Sequence, residues 1–191
     1  MTESGNLSLD QKNIDTILVL DFGSQYTQLI ARRVREFNVY SVILPWDASL
    51  EKIKSLNLKG VILSGGPESV TDSNTPRIPE IIFDLSIPLL GICYGMQTLA
   101  EQFGGQVSSS TTKEFGRAQI TLEKTSALFD GFGSGSLIDV WMSHGDHVST
   151  LPDELNLIAS TSSAQIAAME HIKKPFYALQ FHPEVTHTDQ G

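Results

Sequence analysis

The sequence predicts an α/β fold in which a mostly parallel central sheet is flanked by helices and extended by antiparallel strands. Apolar, strand-like runs alternate with helical patterns as far as Gly105. Such alternation is typical of βαβ units, whose right-handed crossovers build a parallel sheet buried on both faces. After Gly105 the strand-like runs follow one another with little helix between them, which favours antiparallel strands added to the same sheet.

The first half of the chain is predicted to contain four strands, each followed by a helix. The strands are expected at residues 16–20, 39–44, 60–63 and 88–92, and the helices at 25–37, 50–56, 78–85 and 96–103. The first helix has apolar residues on roughly one face, at Leu29, Ile30, Val34 and Phe37. Pro45 is expected to end the second strand, because proline removes a backbone donor.

The second half is predicted to consist mainly of strands, at residues 117–122, 138–142, 155–160, 165–170 and 176–181. Polar stretches at 108–112 and 131–136 are expected to be loops. The second loop is rich in glycine, but no helical pattern follows it directly, so it is interpreted as a flexible turn and not a phosphate loop. Residues 1–13 are polar and unpatterned and are expected to form a flexible tail, which leaves 14–191 as one domain.

Composition and charge exclude several functional classes. The chain has 191 residues, with 13 Lys and Arg against 22 Asp and Glu, a formal net charge of −9. This balance argues against a general nucleic-acid binder and against an anionic-membrane binder. The single cysteine excludes an intramolecular disulfide and fits a reducing compartment. Since no apolar run approaches the ~20 residues of a membrane span and no signal-peptide pattern is present, we expect a cytoplasmic location and no membrane partner.

The segment Gly91-Ile92-Cys93-Tyr94-Gly95 has the spacing of a nucleophile elbow, at the point where a predicted buried strand meets a helix. A turn this sharp strains the backbone of the nucleophile, and flanking glycines relieve the crowding that side chains would cause. It also places the Cys93 sulfur at a helix N-terminus, whose partial positive charge favours a thiolate. The alternative is a buried, unreactive cysteine.

A general base for Cys93 is expected among the five histidines, which are His144, His147, His171, His182 and His187. His182 is favoured because it follows the apolar run 176–181 and would emerge at the end of a strand, where Pro183 stops it. Glu184, two residues on, is placed to hold the second imidazole nitrogen, as the third member of a triad does.

Residues 64–67, Ser-Gly-Gly-Pro, follow a strand predicted to lie beside the strand that leads to Cys93. A backbone N–H in this loop and that of Tyr94 are candidates for an oxyanion hole. The simpler alternative is a tight turn. A second alternative is the SGGxDS pyrophosphate loop of ATP-pyrophosphatases, but Glu68 replaces its aspartate and Pro67 removes a donor from the anion cradle.

No metal site is predicted. Asp146 lies between His144 and His147, and Glu184 lies between His182 and His187, so a zinc site would need an improvised set of ligands without CxxC or HExxH. A GxxxxGK loop is also missing from the sequence, and no GxGxxG opens a helix after the first strand. Neither an NTPase nor a dinucleotide site is therefore indicated.

Three blocks together resemble the class I (triad) glutamine amidotransferases, in that family's order. They are residues 64–67, 91–97 and 181–184, and the resemblance extends from about Thr16 to Gly191. It implies a flavodoxin-like sheet and a thiol nucleophile that releases ammonia from glutamine.

The family resemblance also implies a role for individual residues. Cys93 would be the nucleophile, His182 the proton carrier and Glu184 its orienting carboxylate. The oxyanion donors would be the backbone N–H groups of Gly66 and Tyr94. Substrate binding would fall to the side chain of Gln97 and to the backbone of Ser143, His144 and Gly145.

Residues 20–26, 141–146 and 182–188 are similar to one branch of the family. That branch passes the ammonia to an ATP-pyrophosphatase (synthetase) domain, which aminates xanthosine monophosphate to GMP. The resemblance implies glutamine as the substrate and a synthetase partner, in the same chain or as a separate polypeptide. ATP and magnesium would be needed only in that partner, and no cofactor is expected in this domain. Because the chain stops at Gly191 without a terminating element, we expect an excised glutaminase domain more than a stand-alone subunit.

Three alternatives remain beside this hypothesis. The chain could be the glutaminase of another pathway, such as anthranilate or carbamoyl phosphate synthesis. It could be a non-catalytic interaction module on the same scaffold, which predicts an unreactive Cys93. It could also be a cysteine peptidase or γ-glutamyl hydrolase, which would cleave conjugates instead of free glutamine.

Overall fold

The computed structural model describes residues 14–162 and 165–191, with the backbone alone at 110–113. The tail predicted at residues 1–13 lies outside the described residues. In chain order the elements are β1 (Asp15–Asp21), α1 (Thr27–Glu36), β2 (Tyr40–Pro45), α2 (Leu50–Lys54), β3 (Asn57–Leu63), α3 (Glu80–Asp84), β4 (Leu89–Ile92), α4 (Tyr94–Gln102), β5 (Gln106–Leu122), a 3₁₀ turn (Ala127–Phe129), β6 (Leu137–Thr150), β7 (Leu155–Ser160), β8 (Ala168–His171) and β9 (Phe176–Leu179).

The strands of the described residues form one sheet in the order β2-β1-β3-β4-β9-β8-β7-β5-β6. The first five strands in this order are parallel to one another. Their arrangement is the doubly wound 2-1-3-4-5 order of flavodoxin-like sheets. The remaining strands pair in antiparallel fashion. The predicted α/β fold, with antiparallel strands added by the second half of the chain, is confirmed.

The prediction of a loop at residues 108–112 is wrong, because this segment belongs to β5. β5 pairs with β6 on both sides of a register shift between Ser109 and Glu114. The Ser108 and Ser149 hydroxyls are 2.9 Å apart across the pair. Ser108 and Ser109 are exposed, and strand formation at such polar positions depends on the partner strand. The predicted turn at 131–136 is confirmed, because these residues connect the 3₁₀ turn to β6.

The two faces of the parallel sheet carry different helices. Side chains alternate along β1, so that Leu18 and Leu20 point to one face and Val19 to the other. Residues of α4 pack in the same core cluster as Leu18 and Leu20, whereas Ile30 of α1 packs in the cluster of Val19. Helices α1 and α4 therefore cover opposite faces.

The parallel strands all end at one edge of the sheet, where open α/β proteins bind their ligands. The connections that follow β1, β3, β4 and β9 meet there. None of the helices in the described ranges is both long and apolar enough to cross a membrane.

Candidate active site

A cavity of about 260 Å³ opens at the carboxyl ends of the parallel strands. Its walls come from the segments after β1, β3, β4 and β9 and from β6, at Gly23, Ser24, Gln25, Tyr26, Gly65, Gly66, Pro67, Cys93, Ser143 and His182. The predicted nucleophile, base and glycine loop thus line one cavity. Ser24 and Tyr26 were not predicted as site residues, although their position directly after the first parallel strand is a signal that could have identified them.

Cys93 connects β4 to α4 and has the strained backbone expected of a nucleophile elbow. Its φ of 52° and ψ of −107° fall where residues with a side chain are rarely found. The backbone holds this conformation from both sides: Cys93 N–H donates to Leu179 O at 2.8 Å, and Met96 N–H donates to Cys93 O at 3.0 Å. Only 7% of Cys93 is exposed, so the thiol is reached mainly through the cavity.

Gly91 and Gly95 are required by close packing around this turn. A Cβ atom at Gly91 would lie 2.8 Å from Gly95 O, and one at Gly95 would lie 2.6 Å from both Cβ and O of Leu63. The crowding predicted for the elbow is therefore present, and it involves the neighbouring strand β3 as well as the turn itself.

We expect Gly95→Ala to destabilise the fold by about 2 kcal/mol or more, because the new methyl group must displace backbone. The matched control is Gly133→Ala, where a Cβ would meet no atom within 4 Å. Urea unfolding followed by circular dichroism measures both changes. Equal stability of the two variants would contradict the packing argument.

His182 and Glu184 form a buried pair beside Cys93. His182 Nδ1 and Glu184 Oε1 are 2.8 Å apart, and the two residues are 3% and 4% exposed. His182 lies three residues beyond the end of β9, and its N–H donates to Trp141 O at 3.0 Å. The Tyr26 ring contacts the imidazole edge-on, with centroids 5.2 Å apart. The imidazole is thus fixed by strand β6, by a carboxylate and by an aromatic ring.

The protonation of His182 depends on these partners. Burial lowers the pKa of His182, but the hydrogen bonds to Cys93 and Glu184 and their negative charges outweigh burial and raise the pKa to about 10. This pKa exceeds the ~6.5 of an unfolded histidine, so the contribution of His182 to stability is complete below about pH 6.5. That contribution is lost as the pH rises towards 10.

We expect the His182 ring to stay protonated at pH 7–8 in nitrogen-15 NMR spectra and to lose its proton only near pH 10. In Cys93→Ala the pKa should fall below the wild-type value, because the strongest raising interaction is removed. His144 provides an internal reference, since burial lowers its pKa and its ring should lose its proton at a lower pH than the His182 ring. A His182 ring that titrates below pH 7 in the wild type would contradict the assignment.

The glycine loop after β3 lies against the elbow. Ser64 O accepts a hydrogen bond from Gly95 N–H at 3.1 Å. A Cβ at Gly65 would lie 3.7 Å from the Cβ of Cys93, and one at Gly66 would lie 2.7 Å from Phe22 O. Among the described residues, no acceptor is bound to the N–H of Gly66 or of Tyr94. Both predicted oxyanion donors are therefore available, and their role stays a prediction.

A second cavity, of about 350 Å³, adjoins the first at Cys93 and Ser143. It is also lined by the other predicted substrate-binding residues, Gln97, His144 and Gly145. Gln97 lies one helical turn after the nucleophile and is only 3% exposed. Its amide donates to Asp146 O at 2.7 Å, which ties α4 to β6. Ser143 O accepts from the Cys93 thiol at 3.6 Å.

His144 lies between a backbone carbonyl and a carboxylate. Its Nδ1 is 3.0 Å from Asp146 O, and its Nε2 is 3.0 Å from Glu114 Oε2. Burial lowers the pKa of His144, and the nearby Glu114 charge opposes that change. The ring thus fixes the backbone of β6 where the substrate is predicted to bind. Glu114 was not predicted, because it lies in the segment after the expected loop.

The segment that carries His182 and Glu184 is anchored by residues for which the sequence predicted no individual role. Arg33 Nε donates to Glu184 O at 3.0 Å. The Thr188 hydroxyl donates to His182 O at 2.7 Å and accepts from Trp141 N–H at 3.0 Å. The Arg33–Glu184 and Trp141–Thr188 contacts join residues far apart in sequence, so no local pattern indicates them.

In the part of the chain that the structure describes, no three His, Cys, Asp or Glu side chains are close enough together to hold a metal ion. His187 lies against the Trp141 ring, with centroids 4.4 Å apart. His171 lies against Phe103 and Phe176, away from the cavity residues.

Comparison with known proteins connects this geometry to a family. The model for class I glutamine amidotransferases matches residues 18–191. The GMP synthase (glutamine-hydrolysing) of Hahella chejuensis is 58% identical over 182 residues, and that of Colwellia psychrerythraea is 56% identical over 181. The alignments cover 92% of this chain but only 35% and 34% of these relatives. The predicted resemblance to one branch of the family is thereby confirmed.

Solved structures of related proteins have a similar fold. A Thermoplasma acidophilum protein described as a GMP synthase subunit matches with a TM-score of 0.79 and 34% identity, over 92% of this chain and 87% of that one. A Thermotoga maritima glutamine amidotransferase matches with a TM-score of 0.70 and 23% identity, over 89% and 76%, and supports the fold alone. Since the family model spans nearly all of the sequence and includes the strained cysteine and the buried histidine–glutamate pair, the chain belongs to the class I glutamine amidotransferases.

Proposed function

We propose that this chain hydrolyses glutamine to glutamate and ammonia through a Cys93 thioester. We further propose that the ammonia serves the ATP-dependent amination of xanthosine monophosphate to GMP. The observation that carries the first proposal is the position of Cys93, at the junction of two cavities and within hydrogen-bonding reach of the buried His182–Glu184 pair. A nucleophile, a base and an orienting carboxylate in this order are the requirements for acyl transfer.

In the first step the Cys93 sulfur attacks the side-chain amide carbon of glutamine, and a C–S bond forms. The carbonyl oxygen becomes an oxyanion, and the backbone N–H groups of Gly66 and Tyr94 would stabilise it. His182 gives its proton to the amide nitrogen, the C–N bond breaks, and ammonia leaves. Cys93 then carries a γ-glutamyl thioester.

In the second step His182, now neutral, takes a proton from a water molecule that attacks the thioester carbon. The C–S bond breaks, glutamate leaves, and the thiolate–imidazolium pair is restored. Glu184 remains ionised and stabilises the imidazolium in both steps, as the buried carboxylate of a triad does.

Substrate binding is proposed to use the second cavity. Gln97 lines it from α4, and the backbone of Ser143, His144 and Gly145 lines it from β6. Polar backbone groups of this kind suit the α-amino and α-carboxylate groups of a free amino acid. The Glu114–His144 contact and the Gln97–Asp146 hydrogen bond hold this backbone in place.

The proposed use of the ammonia is based on the similarity of this chain to GMP synthases. Because the chain spans only about a third of the curated GMP synthases it matches, a synthetase unit, in the same chain or separate, is the proposed partner. ATP and magnesium would act in that unit. The glutaminase steps above are assigned to side chains and backbone N–H groups of this chain and to water.

We expect the purified chain to release glutamate from free glutamine slowly. Adding the synthetase portion of the Hahella chejuensis relative, with ATP, magnesium and xanthosine monophosphate, should raise the rate at least about tenfold. A shift of about 1 Å in an oxyanion donor can cost ~100-fold, so a partner that orders the loops at this edge has room to accelerate the reaction. Glutamate is measured with glutamate dehydrogenase.

The control for this experiment is Cys93→Ala with the same partner. A rate in the isolated chain that the partner leaves unchanged would contradict the coupling but not the glutaminase assignment. Hydrolysis of γ-glutamyl peptides in preference to free glutamine would instead favour a γ-glutamyl hydrolase.

A further inference from the structure

Gln180 is a fully buried polar residue next to the nucleophile. It lies between the end of β9 and His182, and none of its surface is exposed. Its backbone N–H donates to Ala167 O at 2.9 Å, which fixes the position of its Cα. The side chain points towards Cys93, with Gln180 Nε2 at 3.7 Å from Cys93 Sγ. Neither the steps above nor the family resemblance uses this amide.

A chain of hydrogen bonds determines which end of the amide faces the sulfur. Gln97 Nε2 donates to the carbonyl oxygen of Asp146 at 2.7 Å, and a backbone carbonyl can only accept. The same nitrogen is 3.4 Å from Gln180 Oε1 and donates its second hydrogen there. Gln180 Oε1 is therefore occupied as an acceptor, and the Gln180 NH₂ group is directed at the sulfur.

A backbone carbonyl at the sulfur has the opposite preference. Ser143 O lies 3.6 Å from Cys93 Sγ and accepts a hydrogen bond from the thiol. A carbonyl oxygen so placed favours the protonated sulfur and opposes the thiolate. An N–H donor on the sulfur favours the thiolate, because hydrogen bonds to a charged acceptor are the stronger ones.

We propose that Gln180 is a further catalytic residue, which stabilises the Cys93 thiolate by an N–H···S hydrogen bond whose direction is set by Gln97 and Asp146. The nucleophile would then have two donors, the His182 imidazolium and the neutral Gln180 amide. When the sulfur becomes bonded to carbon in the thioester, it accepts hydrogen bonds less strongly. Gln180 thus also helps the thiolate to leave in the second step.

The catalytic role of Gln180 rests on the proposed function, but the test of its hydrogen bond to the sulfur does not need glutamine. Cys93 is the only cysteine in the sequence, so alkylation by iodoacetamide reports on this sulfur alone. The thiolate displaces iodide from the reagent, one C–S bond forms and one C–I bond breaks. The rate is followed by mass spectrometry from pH 6 to about pH 10.5.

Gln180→Met is a near-isosteric change that removes the donor. We expect alkylation at pH 7 to slow about tenfold and to approach the wild-type rate above about pH 10, where a thiol ionises without help. Gln180→Asn keeps a buried amide but shortens the side chain by one methylene, and the same pattern is expected. If circular dichroism shows that Gln180→Met does not fold, Gln180→Asn alone tests the proposed hydrogen bond.

The matched control is Gln119→Met. Gln119 also donates a side-chain hydrogen bond, to Asp139 Oδ1 at 3.1 Å, but on the exposed β5–β6 pair. Its alkylation profile should equal that of the wild type. An unchanged rate at pH 7 in a folded Gln180 variant, or an equal loss at every pH, would overturn the proposal. Absent glutamine hydrolysis in the wild type would instead overturn the proposed function.

Discussion

Cys93→Ala is expected to lower glutamine hydrolysis by about 10⁴-fold or more while the fold stays intact. The sulfur forms the covalent bond in the proposed mechanism, and no other cysteine exists in the chain to replace it. The fold should survive because alanine and cysteine share the Cβ atom, so the strain at a φ of 52° is the same in both. Glutamate release measures activity, and circular dichroism with thermal unfolding measures the fold.

A glutamine-like electrophile provides an independent measurement on the same residue. It should label the wild type once per chain, at Cys93, and should not label Cys93→Ala. If the alanine variant keeps a substantial fraction of the wild-type turnover, the thioester mechanism is wrong. A wild type that neither turns over glutamine nor reacts with the electrophile would support the non-catalytic interaction module.

His182→Ala is expected to lower the rate to within about tenfold of Cys93→Ala, since members of a triad act as a unit. The change removes both the proton donor for the leaving ammonia and the base for the attacking water. Adding Cys93→Ala to it should have little further effect. Glutamate release by the two single variants and the double variant, at equal concentrations of folded protein, measures this non-additivity.

Glu184→Gln should have a smaller effect, of about 100-fold, because the amide still contacts the imidazole but no longer carries the charge that stabilises its protonated form. The matched control is His147→Asn, a half-buried histidine of β6 that does not line either cavity. Near-normal activity is expected for it. If the control variant loses activity and His182→Ala keeps it, the assignment of His182 as the base is wrong.

The fold could be predicted from the sequence where the pattern is local. In the first half, each strand and helix is specified by an apolar run or by one apolar face, and the structure places all four strand–helix pairs close to the predicted positions. The helix predicted at 78–85 is shortened to Glu80–Asp84. The error at residues 108–112 has a different cause. Those residues are strand because β6 lies beside them, and a single-segment pattern carries no information about the partner.

The candidate site divides in the same way. The elbow around Cys93 and the His182–Glu184 pair are short-range, so the residue types and their spacing already predicted a thiol nucleophile, its base and its orienting group. The contacts that support them join residues distant in sequence: Arg33 with Glu184, Thr188 with Trp141, and Glu114 with His144. Each of these contacts exists only once the sheet order is set.

The sequence by itself determined the order of the elements and the identity of the reacting groups, because backbone strain at the elbow and the two-residue spacing of His182 and Glu184 are encoded within a few positions. Only the tertiary structure decided which polar groups surround the sulfur. The direction of the Gln180 amide follows from a hydrogen bond to Gln97 on α4, which in turn follows from a carbonyl on β6. A glutamine amide can point either way in an isolated segment, and only its neighbours in the folded chain remove that freedom.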